Sequence, residues 1–333
     1  MSTWEDIEDR SYLDSISVTV VEAEHRDDEK LDWRLTVRDE SGTEFELEIW
    51  QKHDPLLDWV AGKEYELRDA YGQTWNDGKS KKLHSSRTWS ADRVDSSYDW
   101  RLVVMGDSHV GRAEHPSKPY KPIDCAGKFE AAIERAVAHD ADCVVHTGDV
   151  FHDAVPESDC ETVDSAMELL ADAGIEFYYI LGNHECDRGT RLLRRWEQRG
   201  VATHLDVDGS EVAPGVKLYG YDHRPASEFS VAAMDLPSTV LDSTSLLVVH
   251  QTLAPFRPDA AIDIDEINEQ SVGGFDYVVS GHLHDPERPE WSDGECLYAG
   301  STEDLSKTPD ASDPSVWVLT VADDSVETRR QRL

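Results

Sequence analysis

Through the first 95 residues, apolar positions recur with a period of two. Leu31, Trp33, Leu35 and Val37 alternate with polar neighbours, as do Phe45, Leu47 and Ile49 with Glu44, Glu46 and Glu48. Successive strand side chains point to opposite faces, so each run predicts a strand with one buried face. Asp39-Glu40-Ser41-Gly42 between them is a turn signal. The β-branched stretch Ser15–Ala23 comes before these runs. A short helical candidate, Pro55–Val60, a strand at Lys63–Leu67 and a last one near Lys81–Trp89 come after them. Five short strands with a small helix after the third predict a small all-β barrel. The polar stretch 92–99 reads as a linker, which divides the chain into domains 1–95 and 96–333.

From Trp100 the texture changes. Continuous apolar runs alternate with helical stretches: Leu102–Met105 with Ala126–His139, Cys143–His146 with Cys160–Ala173, and Phe177–Leu181 with Thr190–Arg199. That alternation predicts an α/β architecture whose strands are buried on both faces. Ser245–Val249, Tyr277–Ser280 and short β segments near Lys217–Tyr221, Cys296–Ala299 and Val316–Val321 add further strands.

Composition narrows the function classes. Acidic residues number 69 against 32 basic ones, for a net charge of −37, and only 11 of the basic residues are Lys. With 39% apolar residues the chain can fill a sizeable core, so the acidity does not mean disorder. It excludes a generally basic nucleic-acid coat. It fits a surface adapted to high salt, where charges are screened within about 3 Å at 1 M. It also fits a protein that meets an anionic substrate through bound cations. The five cysteines are scattered without CxxC spacing, which predicts reduced thiols. The polar start and the lack of a long apolar run predict a cytoplasmic protein without a membrane span.

Five polar clusters each follow an apolar run: Gly106-Asp107-Ser108-His109, Gly148-Asp149-Val150-Phe151-His152, Gly182-Asn183-His184-Glu185, His250-Gln251 and Gly281-His282-Leu283-His284. Ligands of α/β sheets bind beyond the carboxyl ends of strands, and these clusters bring oxygen and imidazole donors to one edge. The motifs D-x-H, GD-x-x-H, GNH-[DE], a lone His and GH-x-H, in this order over about residues 100–322, resemble the calcineurin-like metallophosphoesterases. "DSHVG", "GDVFH" and "VVHQ" look most like the DNA-repair exonuclease branch, the double-strand-break nucleases that partner an ATPase. Glu185 departs from the Asp usual in those nucleases, and GNHE is the phosphatase form. The chain ends at Leu333 soon after the last strand. That predicts no C-terminal cap or partner-binding segment of the nuclease kind, and puts an ATPase partner in doubt.

The resemblance implies a β-sandwich flanked by helices and a dinuclear metal site. Two metals about 3.5–4 Å apart supply a nucleophile at neutral pH and neutralise charge around phosphorus. By matching, Asp149 is the bridging carboxylate; Asp107, His109 and His284 complete one metal, and Asn183, His250 and His282 the other. His184 matches the general acid, a role suited to an imidazole with a free pKa of about 6.5. His152 matches a histidine that positions the scissile phosphate. At an extended strand end, residues i and i+2 point the same way, so Asp107 and His109 are expected to reach one ion. The mixed N/O donors suit Mn²⁺, with Fe or Zn as alternatives. His115, His139, His146, His204 and His223 match no motif and read as solvent-facing or locally bonded.

The first 95 residues resemble the OB-fold single-strand-binding domains of the replication protein A kind, on strand pattern and the "LTVRDESGTEFELEIW" hairpin. Lys79, Lys81, Lys82, Arg87 and Arg93, interleaved with Trp75 and Trp89, form the most basic stretch. Single-strand binding needs aromatic platforms in a positive groove, so these residues are the expected nucleic-acid contacts. Against them, the domain holds 13 basic and 24 acidic residues, and Arg34 and Arg38 share a face with Glu44, Glu46 and Glu48, where a cross-strand ladder is the alternative. Arg188, Arg191, Arg194, Arg195 and Arg199 cluster around the helix after GNHE, either guiding phosphates or pairing with surface acids. The expectation is a phosphodiester-cleaving DNA nuclease of repair or replication, acting on DNA, single strands included, with a single-strand-binding or repair protein as partner. The alternative is a phosphatase or cyclic-nucleotide phosphodiesterase whose barrel docks a protein.

Overall fold

The computed structural model describes residues 2–26, 30–53, 59, 61, 64–75, 80–93, 100–118, 120–185, 187–213, 215–225, 228, 230–240, 244–257, 260, 262–306, 314–322 and 325–333. The chain forms two compact units, Met1–Asp99 and Trp100–Leu333.

The first unit contains β1 (Tyr12–His25), β2 (Leu31–Asp39), β3 (Glu44–Trp50), β4 (Glu64–Trp75), β5 (Ser80–His84) and β6 (Ser90–Arg93). Antiparallel pairs β1–β2 and β2–β3 lead through a parallel pair β3–β5 to an antiparallel pair β5–β4. β4 then returns to β1 and closes a five-stranded barrel, with β6 added on β4. The alternating apolar residues fill it: Leu35, Val37, Phe45, Leu47 and Ile49 pack with Ile16, Val18, Tyr65, Leu67 and Leu83. Their polar neighbours make the cross-strand ladder outside. Arg38 pairs with Glu44 at 2.6 Å, Arg34 with Glu46 and Glu48 at 3.7 Å, and Lys82 of β5 with Glu48 at 3.0 Å.

Three sequence expectations change here. β4 runs on to Trp75 rather than stopping at Leu67. Arg68 and Asp69, the latter at φ +53°, shift the buried positions from Tyr65 and Leu67 to Ala70 and Gly72, so the period of two breaks where the strand bends. The last stretch is two strands, β5 and β6. Trp89, expected as a stacking platform, is 8% exposed inside the core. It lies parallel to Trp59 with centroids 6.1 Å apart, and its Nε1 donates to the His53 carbonyl at 2.5 Å. The helical candidate Pro55–Val60 lies outside the described residues, apart from Trp59.

The second unit is a sandwich of two sheets. Its elements are β7 (Trp100–Met105), α1 (Cys125–Ala138), β8 (Cys143–His146), α2 (Glu157–Ala173), β9 (Glu176–Tyr179), α3 (Asp187–Gln198), β10 (Ala202–His204), β11 (Ser210–Ala213), β12 (Val216–Tyr221), β13 (Thr244–Val249), the short pair β14 (Leu253–Ala254) and β15 (Ile262–Asp263), α4 (Ile264–Gln270), β16 (Tyr277–Ser280), β17 (Glu295–Tyr298), β18 (Ser315–Ala322) and β19 (Ser325–Arg332). One sheet runs β10-β9-β8-β7-β18-β19, the other β11-β12-β13-β16-β17. Leu102, Val104, Val145 and Ile180 of the first face Leu218, Leu246, Val248, Val279 and Leu297 of the second. The alternate residues Leu247, Val249 and Val278 pack outward on Ile264, Ile267 and Phe275. On the first sheet's outer face, Phe177 meets Phe129 of α1 and Trp196 of α3. Each central strand is therefore covered on both sides, as its continuous apolar run requires. β19 escaped the sequence reading because SVETRRQR carries no apolar run; it is held by pairing along all of β18.

Candidate metal centre

The parallel strands β7, β8 and β9 of one sheet, and β13 and β16 of the other, all end at the same edge. There the turns place Asp107, His109, Asp149, Asn183, His250, His282 and His284 together. His109 Nε2 lies 3.0 Å from His284 Nε2, 3.8 Å from Asp107 Oδ1 and 3.6 Å from Asp149 Oδ2. His250 Nε2 lies 3.3 Å from Asp149 Oδ2 and 3.2 Å from Asn183 Oδ1, and His282 Nδ1 is 3.0 Å from the same Asn183 oxygen. Donor atoms of Asp107, His109 and His284 form one cluster, and those of Asp107, Asp149 and His250 another, each within 4.8 Å.

Asp107, His109, Asp149 and His282 adopt φ of +45°, +46°, +57° and +73°. Non-glycine residues rarely take that conformation, and such strain concentrates at functional sites. It also corrects the expected geometry: Asp107 and His109 meet through left-handed turns, not as alternate residues of an extended strand. Glycine is required between these turns. A Cβ on Gly182 would sit 2.2 Å from Asp149 Oδ1.

The donors are arranged for cations. His284 Nδ1 donates to the Leu305 carbonyl at 3.0 Å and His250 Nδ1 to the Thr147 carbonyl at 2.8 Å. Each bond occupies Nδ1 and aims Nε2 into the cluster, where a bound cation would take the place of any proton. Asp107 Oδ1 is buried there without a hydrogen-bond partner. Lone pairs facing carboxylate and amide oxygens at these distances repel one another unless positive charge lies among them. The residues present therefore fit a pair of divalent ions.

Electrostatics agree. Burial, reinforced by the charge of Asp149, raises the Asp107 carboxyl well above the usual range. Burial also opposes the Asp149 charge, but the hydrogen bond and charge of His250 outweigh it and hold this carboxyl low. Burial alone would lower His250; Asp149 and Asp107 push it up to about 9. Burial keeps His109 well below its ordinary value and His282 at about 4, which leaves both imidazoles in the neutral, ligating form.

His184 and His152 flank the cluster, with ring centroids 4.7 Å apart and 5.0 and 5.3 Å from His109. The His184 N–H donates to Asp149 Oδ1 at 2.8 Å, and its Nδ1 lies 3.4 Å from Asp153 Oδ1. Sequence reasoning passed over Asp153 and the work of Glu185, whose two oxygens accept the Val150 and Gly182 N–H at 2.6 Å and tie the second and third motifs together. It also passed over His223, which lies against His250 and His282. Its signal was its place just after the apolar run Val216–Tyr221. His146 is buried, bonded to Ser108 Oγ at 2.9 Å and held at about 3 by burial.

Several of the expected nucleic-acid contacts are engaged within their own unit. Trp75 is 44% exposed at the end of β4, and Arg87 is exposed. Lys81 is turned to the Trp4 and Glu5 carbonyls at 2.9 Å, and Lys82 to Glu48. Arg191 is exposed on α3, whereas Arg195 pairs with Asp164, Arg188 with Glu157 and Arg199 with Glu168, all on α2. Lys79 and the side chain of Arg93 lie outside the described residues.

The model of the calcineurin-like phosphoesterase family matches residues 101–286, and the chain belongs to that family. That fold implies a dinuclear divalent metal site. The chain is 35% identical over 236 residues to the DNA double-strand break repair protein Mre11 of Haloferax volcanii, a match covering 70% of this chain and 52% of that protein. It is 33% identical over 210 residues to the Mre11 of Halobacterium salinarum, covering 62% of this chain and 52% of that one. The chain thus spans about half the length of these relatives. An OB domain from Methanosarcina mazei covers 28% of the chain and is itself 83% covered, at 17% identity and a TM-score of 0.25. Among the described residues no helix is long and apolar enough to cross a membrane.

Proposed function

We propose that this chain is a dinuclear-metal phosphodiesterase that cleaves DNA, a cytoplasmic nuclease of repair or replication in a cell with a salty interior. The observation that carries the reading is the cluster of seven donors with two free-standing histidines beside it. Asp107, His109 and His284 would hold one ion and Asn183, His250 and His282 the other, with Asp149 between them. When bound, the ions supply positive charge for the phosphate and lower the pKa of water. Mn²⁺ suits the N/O donors, with Fe and Zn as alternatives. His184 would give a proton to the leaving oxygen, and its backbone N–H, bonded to Asp149 Oδ1, holds the residue beside the carboxylate that would join the two ions. His152 orients the scissile phosphate. The kinship with Mre11 proteins of haloarchaea supports DNA as substrate and a repair protein as partner.

A second reading, a small-phosphoester enzyme with a protein-docking barrel, draws on the ladder of Arg34, Arg38 and Lys82 with Glu44, Glu46 and Glu48, which neutralises one barrel face. Labelled single- and double-stranded DNA and small phosphoesters, incubated with the chain and Mn²⁺ at molar salt, separate the two. Cleavage of DNA is expected. Hydrolysis of small esters alone overturns the nuclease.

A further inference from the structure

His223 belongs to no motif, yet it contacts His250 and His282 and is bonded two residues before Asn183. It lies two residues past β12, whose last residue, Tyr221, is in register with Val249, the residue before His250. Its backbone N–H donates to the Leu181 carbonyl at 2.8 Å, two residues before Asn183. Its Nδ1 donates to the His250 carbonyl at 2.9 Å. Its ring lies nearly parallel to that of His282, with centroids 5.7 Å apart and an interplanar angle of 22°, and edge-on to that of His250 at 5.8 Å. Asn183, His250 and His282 come from three different strand ends, and this one residue braces all three.

The neighbouring residues extend the brace. Asp222 Oδ1 accepts the Leu181 N–H at 2.8 Å, and the Arg224 carbonyl accepts from Gln251 Nε2 at 2.6 Å. The segment 222–224 is therefore fastened to the loop carrying Asn183 on one side and to His250-Gln251 on the other. The His223 ring completes that fastening against His282.

We propose that His223 is a positioning residue for the ion held by Asn183, His250 and His282. It is read as a partner of the ligands rather than a ligand, because its ring packs flat on that of His282 and none of the donor clusters among the described residues includes it. Its role is to fix the backbone from which His250 projects and to hold the His282 ring flat. Partners of this kind typically change metal affinity by about 10–100-fold. Its bonds and ring contacts run to Leu181, His250 and His282, and none of these belongs to the set Asp107, His109 and His284 that would hold the other ion. The proposal rests on the dinuclear reading.

The test is Mn²⁺ binding to the full chain, followed by the EPR signal of free Mn²⁺, with no turnover measured. Wild type is expected to show two sites. His223→Ala is expected to weaken one of them by about 10–100-fold and leave the other within about twofold. His223→Asn, whose amide N–H can replace the Nδ1–H, is expected to recover most of the loss. Two wild-type sites that are unchanged in His223→Ala overturn the brace. So do equal weakening of both sites, and an Asn variant no better than Ala. Fewer than two ions on the wild-type chain overturns the dinuclear reading, and the brace with it.

Discussion

Lys81 is expected to act on the stability of the barrel rather than on DNA, and Lys81→Met separates the two roles. Its Nζ donates to the carbonyls of Trp4 and Glu5, both at 2.9 Å, and lies 5.5 Å above the Trp4 ring. Trp4 in turn packs on Phe45 of the core, with centroids 5.3 Å apart, and its backbone N–H donates to Asp39 Oδ2 at 2.6 Å. Lys81 thus pins the N-terminal turn over the end of the barrel. A hydrogen bond from a charged donor contributes about 1.5–3 kcal/mol. The bond to Glu5 is exposed and contributes less, and the cation–π contact adds about 0.5–1 kcal/mol. Methionine keeps the packing of the stem and loses all three, for a cost of about 2–3 kcal/mol. In a unit of this size each kcal/mol moves the midpoint by about 4–8 °C, so the barrel transition should fall by about 10 °C or more. Thermal unfolding of the full chain by near-ultraviolet dichroism reads this, and DNA affinity at molar salt, measured below the transition, should stay within about twofold. A variant that melts with wild type but loses DNA affinity refutes the structural role.

The same logic predicts that Trp89→Ala costs about 3–5 kcal/mol of barrel stability by opening a cavity beside Trp59, whereas Trp75→Ala leaves the melting midpoint unchanged. Equal midpoints for the two variants would contradict the burial of Trp89. Glu185→Ala frees the Val150 and Gly182 N–H groups that fix the loops around Asp149 and Asn183, and should weaken Mn²⁺ binding by about tenfold or more in a calorimetric titration. Unchanged affinity would show that the clamp is idle. The His204 pKa is raised above 6.5, first by its hydrogen bond to Asp222. A raised folded value stabilises fully below the unfolded pKa and loses that contribution as pH climbs through the folded one. The melting gap between wild type and His204→Ala should therefore be widest below pH 6.5 and shrink above it; a constant gap from about pH 6 to about pH 9 contradicts the pairing.

How much was legible in the sequence depends on how local the determining contacts are. The convergence of the seven donors reads well because each follows its own apolar strand by a few residues, and a parallel sheet brings such ends to one edge. The left-handed conformation of Asp107, His109, Asp149 and His282 was not legible, since it falls on the Asp and His residues themselves and not on the glycines that precede three of them. His223 was missed because its partners, His250 and His282, lie on other strands. The barrel surface reads poorly for the same reason. Lys81 looked like a phosphate contact until its ammonium was found on a carbonyl 77 residues earlier in the chain. The arginines around the helix after GNHE left two readings open, guiding phosphates or pairing with acids, and each of Arg188, Arg195 and Arg199 meets an acid of α2. In a chain with net charge −37, a cation finds a carboxylate before it finds a phosphate.

The central claim is that Asp149 joins two ions into one centre, and electron paramagnetic resonance of the Mn²⁺-loaded chain tests it most directly. Wild type is predicted to bind two Mn²⁺ and to show the spectrum of an exchange-coupled pair. Asp149→Asn is predicted to lose the coupling together with hydrolysis of phosphodiesters. Uncoupled ions on the wild-type chain, or a coupled pair that survives Asp149→Asn, would contradict the account.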